Sequence, residues 1–581
     1  MKKLVLCLCA AFLFLTGCDI SSAPFVSSIE ALKEQKDFDA YTESLFCEEV
    51  NGNTINLHYT LANPEKYGIK NPVISLGSLS EETYQNSISS LENMSAAVSA
   101  FNYDALTTKQ QLTYDVLIDY CTKELEASPF FYFEEPLRCT TGTHAELPIL
   151  LAEYAFYQAS DVTDYLSLLS CIEDYFKEIE AFEEEKANRG FFMSDFAAQT
   201  VIDACLKFTE NPKENYLITT FNKRIDALTE LSEEKKNFYK EKNETLVLND
   251  VIPAYKNLAN TIERLKNTGT NNGGLCYFQQ GKEYYKHLVY SSTGSDKSIE
   301  ELQNCVTEQR NADFLTLRNL LTEYPELINV KDTPILEDDP IKILEHLQTA
   351  MCKDFSPASN TNFDLNYVDA SMEDTLAPAF YLTAPIDNTN HNVIYINKSN
   401  GYSGIQLFTT LAHEGYPGHL YQTTESYQAN LSPIRSLLNY PGYTEGWATY
   451  VEMLSYDYAG LEDKTAEMHR AHQSALLSLY ATVDMGIHYD GWTLTDTINF
   501  FSEYGIKDQS VIQSIYELIV EEPAHYLKYY VGYLEFLELK KNAQTEFKDK
   551  YSNRAFHDAV IRIGPAPFSI IKKYLPVYYA S

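Results

Sequence analysis

The chain has 581 residues, of which 45% are hydrophobic and 22% are charged. These are ordinary values for globular proteins, and they exclude a largely disordered chain. With 82 acidic and 45 basic residues the formal net charge is −37, which argues against nucleic acids and anionic membrane surfaces as partners, because both select basic patches.

The N-terminus has the pattern of a secretory signal peptide. Two lysines precede twelve apolar or small residues, a run too short to span a bilayer. The run ends in the sequence LTGC at residues 15–18, which resembles a bacterial lipobox. The resemblance implies that residues 1–17 are removed and that Cys18 carries a lipid; ordinary secretion with cleavage nearby is the alternative. Residues 18–28 are small and polar enough to form a tether.

The rest of the chain is predicted to form two helical lobes, at 29–270 and 271–581. Apolar residues spaced by three and four indicate amphipathic helices, and one such repeat at 405–411 leads into the residues discussed next. The sequence NNGG at 271–274 is a helix breaker and marks the predicted boundary. Residues 392–396 (NVIYI) predict a strand. The expected fold is predominantly α, with a small β-sheet beside the site.

The sequence HEGYPGH at residues 413–419 carries the candidate chemistry. Zincin peptidases use HExxH, in which two histidines on one helical face bind a metal and the glutamate activates water. Here the second histidine is six residues on, about 240° away on an ideal helix. Pro417 cannot donate to the carbonyl of His413, so the helix must bulge or break, and Gly418 eases the backbone through the turn. The spacing therefore predicts that His419 returns to the metal bound by His413.

Glu445 is the predicted third ligand. It begins a segment with an apolar helical face and follows His419 by 26 residues, enough for a loop and a returning helix. Glu452 lies on the same face and is expected to orient a ligand histidine. Three protein ligands with a vacant fourth position are typical of a catalytic rather than a structural zinc. We therefore expect one Zn²⁺ as cofactor, with Glu414 as general base.

Other chemistries find little support in the sequence. The eight cysteines that follow residue 18 contain no CxxC pair, which disfavours a zinc–thiolate cluster. The sequence GYSG at 401–404 is not the GxSxG elbow of serine hydrolases. No glycine-rich loop of the Walker or dinucleotide-binding type is present.

The motifs HEGYPGH, TEGWATYVE, VDMGIHYDGW and PAHYLKYYVG, in that order, resemble the bacterial family known as domain of unknown function 885. That family is similar to the helical gluzincins: thimet oligopeptidase, angiotensin-converting enzyme and carboxypeptidase Taq. The resemblance covers the chain from about residue 37 and is strongest after Pro378. It implies a large two-lobed, zincin-like helical fold and a zinc metallopeptidase.

The same resemblance suggests further catalytic residues. The family's HExxPGH and EGW motifs fall on residues 413–419 and 445–447, and its C-terminal tyrosine falls on Tyr529. A tyrosine in such a position steadies the oxyanion in the gluzincins, so Tyr529 is a candidate donor, with His488 as a second candidate. The chain departs from the family at Tyr480, where we expect an arginine, and this leaves any carboxylate-clamping role there in doubt.

The sequence thus predicts zinc-dependent peptide hydrolysis at the extracytoplasmic face, with a membrane contact through the N-terminal lipid only. The strand at 392–396 is expected to pair with an extended peptide substrate as an added edge. The alternative is a lipid-anchored protein that binds zinc or peptide without turnover. Glu414 favours the enzyme, because a pure binder has no use for an uncoordinated carboxylate there. A helical scaffold with a vestigial motif is a third possibility.

Overall fold

The computed structural model describes residues 28–580 except 333–334, 336, 360–361, 369–372, 374–375 and 391. The predicted signal segment at 1–17, the lipidation site Cys18 and nearly all of the predicted tether lie outside the described residues. Within the part of the chain that is described, no helix is both long enough and apolar enough to cross a membrane. The predominantly α fold with a small sheet is confirmed.

Ten helices precede residue 270. They are α1 (Ser28–Val50), α2 (Thr54–Thr60), α3 (Glu81–Ser99), α4 (Thr108–Ala127), α5 (Thr143–Ala152), α6 (Ala159–Arg189), α7 (Asp195–Phe208), α8 (Tyr216–Ala227), α9 (Glu233–Leu246) and α10 (Ile252–Leu265). Side-chain caps begin many of them; the hydroxyl of Ser194, for example, accepts a hydrogen bond from the backbone of Ala197 at the start of α7.

Twelve helices and three strands follow. They are α11 (Gly281–Thr293), α12 (Ile299–Glu323), α13 (Pro340–Ala350), β1 (Asp364–Tyr367), β2 (Ala379–Leu382), β3 (Val393–Ile396), α14 (Gly404–Glu414), α15 (His419–Gln428), α16 (Pro441–Ser455), α17 (Asp463–Met485), α18 (Leu494–Glu503), α19 (Gln509–Glu521), α20 (His525–Phe547), α21 (Asn553–Ile563) and α22 (Phe568–Ala580).

Two hydrophobic cores hold these helices together. Helices α5 to α10 bury their apolar faces against one another around residues such as Leu169, Val201 and Leu258. The larger core combines α1 to α4 with helices of the C-terminal half, so Leu117 and Trp447 belong to one cluster. The first four helices therefore pack with the part of the chain that carries the HEGYPGH sequence.

The sheet has the strand order β1-β3-β2, with β1 parallel and β2 antiparallel to β3. The strand predicted at 392–396 is confirmed as β3, but it lies in the centre of the sheet. Both of its edges are already paired, so the expectation that it adds a substrate strand is wrong. The outer strand β2 contacts the end of the HEGYPGH helix through the backbone N–H of Tyr381, which donates to Glu414.

Candidate metal centre

The structure brings His413, His419 and Glu445 together from three helices. The Nε2 atoms of His413 and His419 lie 3.5 and 3.4 Å from the same carboxylate oxygen of Glu445. One ligand atom from each residue lies within 4.8 Å of the other two. In a tetrahedral site with metal–ligand distances of about 2.0–2.2 Å, neighbouring ligand atoms are ~3.3–3.6 Å apart. The donor set therefore fits one zinc ion in type, and the two distances to Glu445 match this spacing.

The break between α14 and α15 makes this arrangement possible. Helix α14 ends at Glu414 and α15 begins at His419, which confirms the predicted interruption at the proline. The peptide bond between Tyr416 and Pro417 is cis. A Cβ on Gly418 would overlap the carbonyl oxygen of His413, so only glycine lets the chain pass this close to the end of α14.

Trp447 fixes the same turn from the neighbouring helix. Its indole N–H donates to the carbonyl of Pro417 at 2.9 Å, and the side chain is fully buried. Because Trp447 lies two residues after Glu445 on α16, one helix supplies both a candidate ligand and the support for the turn that carries His419. Sequence reasoning assigned no role to this tryptophan; its place in the EGW motif was the available signal.

Glu452 lies behind the first histidine. Its Oε2 is 3.2 Å from Nδ1 of His413, while Nε2 of that ring faces Glu445. A carboxylate in this position holds the ring orientation and the tautomer that leaves Nε2 free for a metal. The geometry agrees with the orienting role expected for Glu452 from its position two turns after Glu445.

The charges around the histidines favour a cation. Burial works against a proton on His413, but hydrogen bonds to Glu445 and Glu452 raise the pKa of His413 well above its ordinary value. Burial likewise acts to raise the pKa of Glu445, yet the hydrogen bonds from both histidines hold that pKa well below its usual range. The negative carboxylates therefore stabilise a positive charge at the point where the three ligand atoms converge.

Glu414 points from the end of α14 towards the sheet. Its Oε2 accepts a hydrogen bond of 2.9 Å from the backbone N–H of Tyr381 on β2. Burial raises the pKa of Glu414, and the neighbouring histidines His413 and His419 oppose that effect. The carboxylate is thus held beside the ligand cluster without belonging to it. The sequence did not reveal its partner, because a backbone donor has no side-chain signature.

Tyr529, which belongs to α20, lies close to the ligand cluster. Burial and the negative charges of Glu445 and Glu414 raise the pKa of Tyr529, so its phenol keeps a proton that it can donate. The residue before it, Lys528, was not identified from the sequence. Its Nζ lies 4.0 Å from the second carboxylate oxygen of Glu445. A lysine directly before the family tyrosine was the signal that could have found it.

His488 is a correction to the sequence analysis. The ring is fully buried after α17. Its Nδ1 accepts from the backbone N–H of Leu275 at 3.1 Å, and its Nε2 is 2.7 Å from the carbonyl of Ile519. Burial lowers the pKa of His488 to about 4. Since the backbone occupies both nitrogens, no N–H remains for an oxyanion, and the residue acts as a structural link.

Comparisons with known proteins agree with this fold. The family model described as "Bacterial protein of unknown function (DUF885)" matches residues 66–575. A crystal structure from Colwellia psychrerythraea, provisionally described as a lipoprotein, aligns with a TM-score of 0.80 at 19% identity, covering 96% of this chain and 100% of that chain. A similarly described protein of unknown function from Shewanella oneidensis aligns with a TM-score of 0.61 at 15% identity, covering 93% and 99% of the two chains.

Two further comparisons do not bear on function. A structure provisionally described as an oligoendopeptidase F of Bacillus anthracis gives a TM-score of only 0.30 at 11% identity, over 85% of this chain and 96% of that chain. No curated protein matches the sequence. The similar structures therefore establish the fold alone.

Proposed function

For this chain, which belongs to the DUF885 family of bacterial proteins of unknown function, we propose zinc-dependent hydrolysis of peptide bonds. One observation carries the proposal: Glu414 lies next to a three-ligand cluster and is held by the backbone of β2 instead of joining the cluster. A centre built only to bind a metal has no need of a separate carboxylate beside its three ligands. A hydrolytic centre needs one as a base.

His413, His419 and Glu445 would hold the zinc ion. When bound, the ion supplies Lewis acidity, which polarises a carbonyl and lowers the pKa of a water molecule towards ~7. Glu414 accepts the proton of the attacking water and passes it to the leaving nitrogen. The N–H of Tyr381 keeps one oxygen of Glu414 in place, so the other oxygen is left to carry the proton.

Tyr529 is proposed to donate a hydrogen bond from its phenolic O–H to the oxyanion that develops on the substrate carbonyl. The phenol must keep its proton for this role, and the raised pKa of Tyr529 keeps it protonated at neutral pH. A single preorganised donor of this kind typically contributes 10²- to 10³-fold to kcat.

Strand β2 is proposed to bind the substrate backbone in place of β3. The carbonyl of Pro378 accepts from Asn397 on the β3 side, and backbone groups alternate in direction along a strand. Ala379 and Tyr381 therefore point their N–H and C=O groups away from β3. The N–H of Tyr381 serves Glu414, and the remaining outward groups are proposed to pair with an extended peptide that passes beside the base.

The site of action is proposed to be the outer face of a membrane, through a lipid on Cys18. The sequence LTGC at residues 15–18, after a short apolar run, supports this placement. Cells that express the wild type should incorporate labelled fatty acid into the protein and retain it in the membrane fraction. Cys18→Ser should lose both the label and the membrane retention; equal labelling of the two proteins would contradict the proposal.

The variant Glu414→Gln tests the hydrolytic proposal. We expect it to bind zinc as the wild type does, by metal analysis, and to lose hydrolysis of a peptide library followed by mass spectrometry. Glu425→Gln is the matched control, because Glu425 lies on α15 but pairs with Ser359; it should keep its activity. Equal rates in wild type and Glu414→Gln would refute the mechanism. Zinc and peptide binding without any cleavage by the wild type would favour the non-catalytic binder.

A further inference from the structure

We infer that Lys528 binds a carboxylate of the substrate beside the metal centre and so determines which peptides are accepted. The inference rests on the proposed peptide hydrolysis, because it assigns a recognition role within the same site. It deepens that proposal by naming the chemical group that the substrate presents near the bond that is cleaved.

Two measured contacts place the ammonium group of Lys528 at the metal centre. Its Nζ lies 4.0 Å from Oε1 of Glu445, and Oε2 of the same carboxylate is the atom that faces Nε2 of both His413 and His419. The same Nζ lies 5.0 Å from the ring centroid of Tyr529, the proposed oxyanion donor. The positive charge is therefore adjacent to a candidate metal ligand and to a candidate catalytic residue.

The ammonium group has hydrogen-bonding capacity that the protein leaves unused. A lysine carries three N–H donors, but among the described residues Nζ of Lys528 donates no hydrogen bond, because its ion pair with Glu445 is too long for one. The side chain is only 20% exposed, and a lysine buried to this degree is normally paired. Nζ is not one of the fully buried atoms that lack a partner, so a ligand can reach the ammonium group from solvent.

The nearby carboxyl groups do not supply the missing partner. Glu146 of α5 also interacts electrostatically with Lys528, but burial and the charge of Glu522 raise the pKa of Glu146 to about 7. At neutral pH this carboxyl is therefore only partly ionised. Glu445 faces the two histidines, and a divalent cation held by that cluster would take up its charge. An anion of the substrate is the partner that remains for Lys528.

The position of Lys528 limits where the carboxylate lies in the substrate. Its Nζ is 4.0 Å from one oxygen of a ligand carboxylate, and each residue of an extended peptide advances ~3.3 Å. A carboxylate bound to Lys528 therefore belongs to a residue within about two positions of the cleaved bond.

The carboxylate can come from two sources that share the same chemistry. One source is the free C-terminus of the peptide, in which case the protein removes short pieces from the ends of its substrates. The other source is an aspartate or glutamate side chain next to the cleaved bond of a longer peptide. The two differ in whether amidation of the C-terminus removes the preference.

Calorimetric binding to the full chain carrying Glu414→Gln, in buffer containing zinc, tests the inference without requiring hydrolysis. The probes are N-acetyl-pentaalanine with a free C-terminus, its C-terminal amide, and that amide with glutamate or glutamine at the third position. We expect at least one carboxylate probe to bind ~10- to 100-fold more tightly than its neutral counterpart. A preference for the free acid over the amide identifies the C-terminus as the source, and a preference for glutamate over glutamine identifies a side chain. Equal binding within both pairs would overturn the inference.

Adding Lys528→Gln should abolish the ratio between the carboxylate probe and its neutral counterpart. Lys528→Met is a second uncharged variant, which decides the question if the first does not fold. If Lys528 served only to hold Glu445, its loss would weaken both probes alike, so a ratio that survives in the folded variant would refute the inference.

Lys540→Gln is the matched control. Lys540 lies on the same helix and is also partly buried, but it donates to the hydroxyl of Tyr450, so its replacement should leave the ratio unchanged. The outcomes for the two proposals are distinguishable. Lack of hydrolysis by the wild type would remove the proposed function and leave the binding preference standing, whereas hydrolysis with equal binding of charged and neutral probes would refute only the role of Lys528.

Discussion

Gly446 and Gly532 meet backbone to backbone. A Cβ on Gly446 would lie 2.5 Å from the Cα of Gly532, and a Cβ on Gly532 would lie 2.7 Å from the Cα of Gly446. The contact joins α16 to α20. Glu445 is adjacent to one of these glycines, and Tyr529 lies three residues before the other, so the glycine pair sets how near the candidate ligand lies to the candidate oxyanion donor.

Gly532→Ala should therefore disturb the site without altering any polar group. We expect the added methyl group to push α16 and α20 apart, to destabilise the protein by about 1–3 kcal/mol and to weaken zinc binding. Thermal unfolding and metal titration would measure the two effects. Gly52→Ala is the control, since a Cβ there would lie no nearer than 3.4 Å to its closest neighbour. Wild-type zinc affinity in Gly532→Ala would contradict this view of the helix contact.

Glu452→Gln should weaken zinc binding without removing a metal ligand. The amide keeps the size of the side chain but loses the charge that pairs with Nδ1 of His413. We expect a loss of ~10-fold in zinc affinity, as for other supporting carboxylates, measured by competition with a chelator. Glu467→Gln changes a partly exposed glutamate that pairs with Lys464, and it should bind zinc as the wild type does. Equal affinities in the two variants would exclude an orienting role for Glu452.

Tyr529→Phe should lower kcat by ~10²- to 10³-fold, because one oxyanion donor is removed. Zinc content should remain unchanged, since Tyr529 is not part of the ligand cluster. Tyr526→Phe is the control: Tyr526 lies on the same helix and packs against Tyr480 with ring centroids 4.8 Å apart. Steady-state kinetics on a cleaved peptide would compare the two variants. Similar kcat values in the two variants would show that Tyr529 contributes to packing and not to stabilisation of the oxyanion.

Asp484 should make stability depend on pH. It is fully buried, and burial raises the pKa of Asp484 to about 7 despite hydrogen bonds from Tyr285 and from the backbone of Ala524. An unfolded aspartate titrates near pH ~3.9. The folded state therefore keeps a proton that the unfolded chain releases, so the contribution to stability is full below about pH 4 and is lost as pH rises towards 7.

Asp484→Asn should remove this dependence. Relative to wild type, the variant should gain up to roughly 4 kcal/mol of stability between pH 4 and pH 8. Scanning calorimetry of both proteins across that range would measure the difference in their stability. The contributions of titrating groups that both proteins share cancel in this difference. A difference in stability that stays constant with pH would show that Asp484 does not hold a proton in the folded protein.

The sequence by itself determined the features that depend on a few neighbouring residues. The break after α14 follows from Pro417, which has no N–H to give, and from Gly418, which leaves room beside the carbonyl of His413. Helical periodicity determined the predominantly α fold, and β-branched residues determined the strand β3. These rules act within one or two turns of the chain, so the order of residues is enough to apply them.

Only the tertiary structure decided which distant groups meet. Nothing near His488 in sequence shows that its nitrogens bond to Leu275, 213 residues away, and to Ile519. The outer position of β2 and the hydrogen bond from Trp447 to the carbonyl of Pro417 are of the same kind. Each depends on how several elements pack together, and burial and hydrogen-bond satisfaction are properties of that packing rather than of any local pattern.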